Sequence, residues 1–259
     1  MSGSECAPLE LMSVVLSREL RDGETGGAGV AALIPMAAML LARELHAPNL
    51  VIGGERVYNP KPKRLYEDGQ DARNFEGAEA IEGYWELFGH SHRGVDFFFY
   101  SGIQIDRYGN ANLHHVGGTF ERPAFRGPGV PNVSFAVTSK RVLLYPVAHN
   151  ARTFVERVDF VSVPGHLRGP ESKRAAGLMH GPALCVTPIA VMDFDPETLA
   201  MRLRSVHGGL TAAQVQERTG FPLVMPARVP ETEPPTDREL TSLREVVDPA
   251  GLLRRTAAA

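Results

Sequence analysis

Cysteine is nearly absent: Cys6 and Cys185 are the only two in 259 residues. Each stands alone, without CxxC spacing, so neither a disulfide framework nor a zinc site is built, and a reducing cytoplasm suits the chain. An excess of one charge is also missing. The formal net charge is -3, which provides no general attraction to nucleic acid or to an anionic membrane. No apolar run reaches the roughly 20 residues of a membrane span. The most apolar window, residues 30–45, holds Pro35 and ends in Arg43 and Glu44. The N-terminal MSGSECAPLE has no basic stretch ahead of an apolar core, so no signal peptide is expected. There is no P-loop, no GxGxxG after a strand and no GxSxG. ATP, dinucleotide and α/β-hydrolase readings therefore lack support.

What is present is an ordinary globular composition, 43% hydrophobic and 22% charged, with 26 glycines and 20 prolines for turns. PLELMSVVLSRELRDG places Leu9, Met12, Val15, Leu16 and Leu20 at helical spacing. A glycine-rich passage, GETGGAGVAAL, leads to a second helix, PMAAMLLARELH, with proline in its first turn. NLVIGG follows as a short buried strand. Residues 56–76 read as a long loop and EGAEAIEGYWELFGHSHRG as a helix. VDFFFYSG is the continuous apolar run of a strand covered on both faces. RVLLYPVAH, RVDFVSVPG and the paired run ALCVTPIAVMDFD are further strands. TAAQVQERTG is a helix capped by Thr211, and PTDRELTSLREVV a last one capped by Thr236 or Asp237. Residues 226–237, proline-rich and acidic, form an extended surface connection. The pattern predicts an α/β fold, an open and mostly parallel sheet flanked by helices, in one domain over residues 1–259.

Three places could carry chemistry. Glu55 follows the strand Leu50–Ile52 and the pair Gly53-Gly54, and strand ends in open α/β sheets are where ligands bind. On the residues alone, a solvated turn charge paired with Arg56 is the favoured reading, since most glutamates lie at the surface. The second place is SGIQIDRYGNANLHHVGG, residues 101–118. A hairpin turning at Tyr108-Gly109-Asn110 accounts for much of it, but accounts less well for Gly102 and Gln104. The third is histidine. His114-His115 and His90/His92 have no carboxylate or cysteine at ligand spacing, so no metal is expected.

The order of these segments resembles a family. SGIQIDRYGNANLHHVGG resembles the GAQ-D-x-YGN-x-N signature of family I CoA-transferase β subunits. HAPNLVIGGE is similar to that family's strand-glutamate segment, and HNARTFVERVDFVSVPG to its H-x-x-R-x-F…VD(Y/F) segment, with His149, Arg152 and Phe154 in matching places. LTAAQVQERTGFPL…PPTDRELTSLREVVDP resembles the closing pattern. Four matches in order cover most of the chain, and the nearest subgroup resembles glutaconate CoA-transferase β subunits and their hydrolase and decarboxylase relatives.

The resemblance implies an α-subunit partner in an α2β2 hetero-oligomer, a site at the subunit interface, and a coenzyme A thioester as substrate rather than a resident cofactor. It assigns Glu55 as the catalytic nucleophile that passes CoA from an acyl-CoA to a carboxylic acid. It assigns Gly54, Gly102, Ile103, Gln104 and Asn110 to CoA and oxyanion binding. Two departures stand out. Arg56-Val57 follow the glutamate where the family carries a small flexible pair, so Arg56 becomes a candidate for orienting substrate. Ala31-Ala32-Leu33-Ile34 precede Pro35 where the family has a glycine loop, and side chains there would reshape the pocket. The alternative reactions are hydrolysis or decarboxylation of a carboxylated or ring-containing acyl-CoA. A non-catalytic partner shaping the α subunit's site is a third possibility.

Overall fold

The computed structural model describes residues 6–29, 32–53 and 57–256. Two compact units emerge. One comprises the chain up to His90, Val95–Phe97 and the chain from Glu233 onward; the other comprises Ser91–Gly94 and Phe98–Thr232. The second boundary falls inside the proline-rich stretch read as a surface connection.

The elements run in the order α1 (Pro8–Arg18), β1 (Thr25–Ala28), α2 (Leu33–Leu45), β2 (Val51–Gly53), β3 (Val57–Tyr58), β4 (Ala80–Ile81), α3 (Tyr84–Arg93), β5 (Phe97–Tyr100), β6 (Gln104–Ile105) and β7 (Ala111–Asn112). They continue as β8 (His115–Gly118), β9 (Pro123–Arg126), α4 (Val133–Thr138), β10 (Arg141–Leu144), α5 (Pro170–Ala175), β11 (Pro182–Val186), β12 (Ala190–Phe194), β13 (Met201–Val206), α6 (Ala212–Glu217), α7 (Asp237–Thr241) and α8 (Leu252–Thr256).

In the first unit β1 and β2 are parallel, with Gly27 opposite Gly53. β3 and β4 add antiparallel strands beyond them. Helix α1 buries Met12 and Leu16 completely, on the face the spacing predicted, and α2 buries Met39 and Leu41. The two ends of the chain are tied within this unit. Arg244 grips the buried Glu10 through two hydrogen bonds of 2.8 and 2.7 Å, and Arg18 grips Glu239 at 2.7 Å. In the second unit β10 and β11 are parallel and β12 and β13 follow antiparallel. The chain is α/β as expected, with an open mostly parallel sheet flanked by helices.

Some elements differ from expectation. The glycine-rich passage contains a strand, β1, because Gly26 lets the Phe97 ring pack where a Cβ would stand 2.5 Å from it. RVDFVSVPG is not a regular strand. It wraps the β6–β7 hairpin through single bridges, including Ala111 to Val163. Only Tyr84–Arg93 of the segment 76–94 is helical, since Gly77 and Gly83 interrupt it and Gly77 sits at φ 65°. The loop 56–76 includes β3 and a single 3-10 turn, Ala72–Phe75. The helix read as the last passes into a π-helical stretch, Ser242–Val247, and α8 follows it. Both predicted threonine caps form capping boxes, Thr211 with Gln214 and Thr236 with Glu239. Among the described residues no helix is long and apolar enough to cross a membrane.

Candidate active site

In the first unit, two parallel strands end on small residues. Among the described residues, the nearest atom to a Cβ added at Gly53 is the Gly26 carbonyl oxygen, at 3.6 Å, an ordinary contact. Gly53, with Ala28 and Gly29 from the end of β1, borders a cavity of about 60 Å³. Its walls are Leu33, Met36 and Met39 of α2 together with Leu65, Tyr66 and Phe75 of the long loop. The N-cap residue of α2 is Ala32, which supplies no side-chain cap. Gly54, Glu55 and Arg56 lie outside the described residues.

In the second unit, the segment 101–112 is a β6–β7 hairpin with Gln104 opposite Asn112 and Ile105 opposite Ala111. Its turn is built around Asp106, which is 5% exposed. That carboxylate accepts from Tyr108 N at 3.0 Å, Asn110 N at 3.1 Å and Asn110 Nδ2 at 2.9 Å. Burial nevertheless pushes its pKa up to about 6, against those hydrogen bonds. Gly109 supplies the left-handed residue the turn needs, at φ 69°.

Asn110 is fully engaged. Its Nδ2 donates to Asp106 and to Leu167 O at 2.8 Å, and its Oδ1 accepts from Gly165 N at 2.9 Å and Leu167 N at 3.2 Å. Those bonds hold Leu167 at φ 56°, a strained value for leucine. Gln104 is similarly committed. Its Oε1 accepts from Asn112 Nδ2 at 2.8 Å and Asp159 N at 3.0 Å, and its Nε2 faces Asp159 Oδ2 at 3.4 Å. Ile103 donates its N–H to Asn112 O at 2.9 Å.

Gly102 differs from these. It is half-buried and its N–H has no acceptor among the described residues. An added Cβ would stand 3.0 Å from both Gln104 O and Ile105 Cγ1, so glycine is demanded by packing. Gly102 therefore presents an N–H for which no acceptor is found among the described residues. The side chains of Gln104 and Asn110 serve the scaffold.

Sequence reasoning missed the partners of this scaffold. Asp159 joins Gln104 to the Gly117 N–H, at 2.7 Å from the latter, and Ser162 accepts from Leu113 N at 2.8 Å. Two of the motif segments, 101–118 and 149–165, are thus hydrogen-bonded to one another. His114 Nδ1 meets Ser162 Oγ at 2.7 Å and His90 meets Glu82 at 2.6 Å. No cluster of three or more metal-ligating side chains exists among the described residues. His149 lies between Thr187 Oγ1 at 2.9 Å and Thr219 Oγ1 at 3.0 Å, stacked on Phe154. Burial depresses its pKa to about 3. Both hydroxyls also have carbonyl acceptors, Val215 O for Thr219 and Ala190 O for Thr187.

An α/β subunit with a ligand-accessible strand end is the class that this fold and site define. No family model matches the chain. It is 30% identical over 254 residues to the B subunit of 3-oxoadipate CoA-transferase from Pseudomonas knackmussii, covering 96% of this chain and 94% of that one. It is 27% identical to the B subunit of glutaconate CoA-transferase from Acidaminococcus fermentans, over 93% and 92% of the two chains. It is 29% identical to the cholesterol ring-cleaving hydrolase IpdB subunit of Mycobacterium tuberculosis, over 95% and 96%. Among solved structures, glutaconate coenzyme A-transferase of A. fermentans superposes with a TM-score of 0.86 at 25% identity, over 95% and 96% of the two chains. IpdAB of Rhodococcus jostii gives 0.81 at 25% identity, over 97% and 98%. The chain belongs to the family I CoA-transferases, as a β subunit.

Proposed function

We propose that the chain is the Glu55-bearing subunit of a heteromeric CoA-transferase, assembled with an α subunit as α2β2 in the cytoplasm. Its substrates are an acyl-CoA and a carboxylic acid, with no permanently bound cofactor. The observation that carries the reading is the ending of β2 on Gly53 at the rim of an apolar cavity, two residues before Glu55. The Glu55 carboxylate attacks the thioester carbonyl, the C–S bond breaks, and an acyl-glutamyl anhydride and CoA thiolate result. The thiolate then attacks the glutamyl carbonyl, releasing the first acid as carboxylate and leaving a glutamyl-CoA thioester. The acceptor carboxylate reverses both steps, so atoms and charge balance and no proton is consumed.

Each step passes through a tetrahedral oxyanion that needs preorganised donors. The Gly102 N–H, without an acceptor among the described residues, is our choice for that role, with Gly54 and Ile103 lining the thioester. Gln104 and Asn110 hold the hairpin that carries Gly102. Arg56 orients the reacting carboxylate of the acceptor acid. Adding acyl-CoA to the heteromer and then borohydride or hydroxylamine tests the intermediate. Inactivation that requires acyl-CoA, with the mass change on the Glu55 peptide, is expected; an unmodified Glu55 under turnover would sink it.

A second reading, hydrolysis or decarboxylation of the acyl-CoA with Glu55 as base, draws on the 29% identity to a hydrolase subunit. Product formed without any acceptor acid favours it over transfer.

A further inference from the structure

We propose that His115 is a further residue of the acyl-CoA site, its ring N–H donating to an amide carbonyl of the pantetheine arm. This rests on acyl-CoA being the substrate, and not on Glu55 being the nucleophile.

The first argument is an unspent group. His115 is only 6% exposed. Its Nδ1 is nevertheless sealed in without a hydrogen-bond partner, and no described residue bonds its Nε2. Burying a polar group unpaired costs stability, and a histidine that serves only the fold has no reason to carry that cost. The other buried histidines of this unit show the contrast. His149 has a hydroxyl at each ring nitrogen, and His207 meets Thr232 Oγ1 at 2.9 Å and Thr187 O at 2.8 Å. His166 also has an unpartnered Nδ1, but it uses Nε2 on Pro182 O at 3.0 Å. An orphaned N–H is rarer in folded proteins than an orphaned acceptor, so a ring with one proton carries it on Nε2. That nitrogen is not among the sealed atoms, and it is the one a ligand reaches.

The second argument is how the ring is held. Asn112 Nδ2 donates to His115 O at 2.6 Å and to Gln104 Oε1 at 2.8 Å. The His115 backbone is thereby fastened to the frame that carries Gly102. Phe120 and Phe160 wall the ring, their centroids 5.9 and 5.6 Å from its own. A donor fixed between apolar walls is preorganised, and a hydrogen bond there is stronger than in water.

The surroundings also choose the ligand. The Glu121 carboxylate lies close enough to interact electrostatically with His115, and it repels a phosphate or an acyl carboxylate. Arg126 is drawn to that same carboxylate and stands 5.0 Å over the Phe120 ring. A neutral carbonyl set among apolar carbons suits two aromatic walls and one donor. The amides of pantetheine are of that kind.

The test is calorimetry on the heteromer with free CoA and with pantetheine. His115→Phe should weaken both by about 5–10-fold. The thermal midpoint should hold or rise, because an unpaired buried polar group is exchanged for an apolar ring. His115→Gln keeps an N–H donor and should recover most of the affinity. His149→Phe should do the converse, lowering the midpoint with CoA affinity within about 2-fold of native. A loss with CoA but not with pantetheine would put the ring at the nucleotide. Weaker assembly with unchanged CoA affinity would give it to the α subunit. A lower midpoint with unchanged CoA affinity would make it packing. Each of these overturns the inference, as does a native heteromer that binds neither ligand. No acyl group moves in these titrations. Lost CoA affinity in His115→Phe therefore stands even if Glu55 is never modified during turnover, and a modified Glu55 with unchanged affinity removes His115 alone.

Discussion

The hairpin of residues 101–112 and the cavity beside β2 are built on opposite principles. In the hairpin nearly every polar group has a partner. Asp106 takes three donors, and Asn110 satisfies both its amide hydrogens and its oxygen. In the cavity the lining is almost wholly apolar, and the helix that forms one wall begins without a side-chain cap. A saturated polar network rigidifies, and its members have nothing left to offer a ligand. An apolar hollow beside an uncapped helix start is poorly stabilised by itself and suited to being filled. The hairpin's string of polar letters therefore marks a frame.

The largest break in that comparison would come at Glu55. Glu55→Gln keeps the size and removes the nucleophile, so CoA transfer should fall at least about 1,000-fold, or roughly 4 kcal/mol in barrier. Assembly and thermal midpoint should stay near those of the native heteromer. Turnover within 10-fold of native would remove Glu55 from the mechanism.

Asn110→Ala should have the opposite signature. It leaves the Asp106 carboxylate without its side-chain donor and orphans the N–H groups of Gly165 and Leu167. The cost to stability should be about 3–5 kcal/mol, seen as a lowered urea midpoint. CoA affinity among surviving folded molecules should be unchanged. An unaltered midpoint with lost CoA affinity would return Asn110 to the ligand-binding role that sequence assigned it.

Acid should probe the buried histidines of the same unit as the hairpin. His149 and His166 are depressed to about 3 and about 4 by burial, and His207 is depressed for the same reason. Their folded values lie below the ordinary value of about 6.5. The unfolded chain therefore takes up protons first, and stability present above pH ~6.5 is lost as the pH falls toward 4. Each histidine that stays neutral contributes about 1.4 kcal/mol per pH unit. Asp106 works the other way. Its folded value is raised to about 6, so its contribution is full below about pH 4 and lost as the pH climbs through 6. Two histidines against one aspartate leave a net loss of about 2–3 kcal/mol between pH 6.5 and 4.5. His149→Gln should flatten that slope by about 1.4 kcal/mol per unit, read from urea midpoints across the range.

The fold was readable where local rules operate alone. Met12 and Leu16 in α1, the FFFY run of β5 and the Thr211 and Thr236 caps each follow from spacing or chemistry within a few residues. Strand β1 was not readable, because TGGA has little strand propensity and is held by what packs on it, the Phe97 ring over Gly26. The frame around Gln104 escaped for a related reason: its key partner, Asp159, lies 55 residues away and is joined only through side-chain hydrogen bonds. The segment Arg157–Gly165 looked like a strand because its alternation is real. In the fold that alternation breaks where the segment wraps the hairpin: the adjacent Ser162 and Val163 are both buried, Ser162 bonded to Leu113 N and Val163 bridged to Ala111. The cavity was hidden because its walls come from α2, the end of β2 and the loop after it. Only its replaced glycines, at residues 31–34, gave a signal.

The smallest expected effect is the one that best separates the two regions. Met36 is half-exposed and borders the cavity, so Met36→Ala removes few packed contacts. Its cost should be about 1 kcal/mol, below the ~2–5 kcal/mol of a fully buried methionine. The same truncation made at Met39, which is fully buried, should lower the thermal midpoint more, by the full cost of an unfilled internal void. Equal stability losses at the two positions would mean that Met36 is packed as tightly as Met39 and that no open hollow borders it.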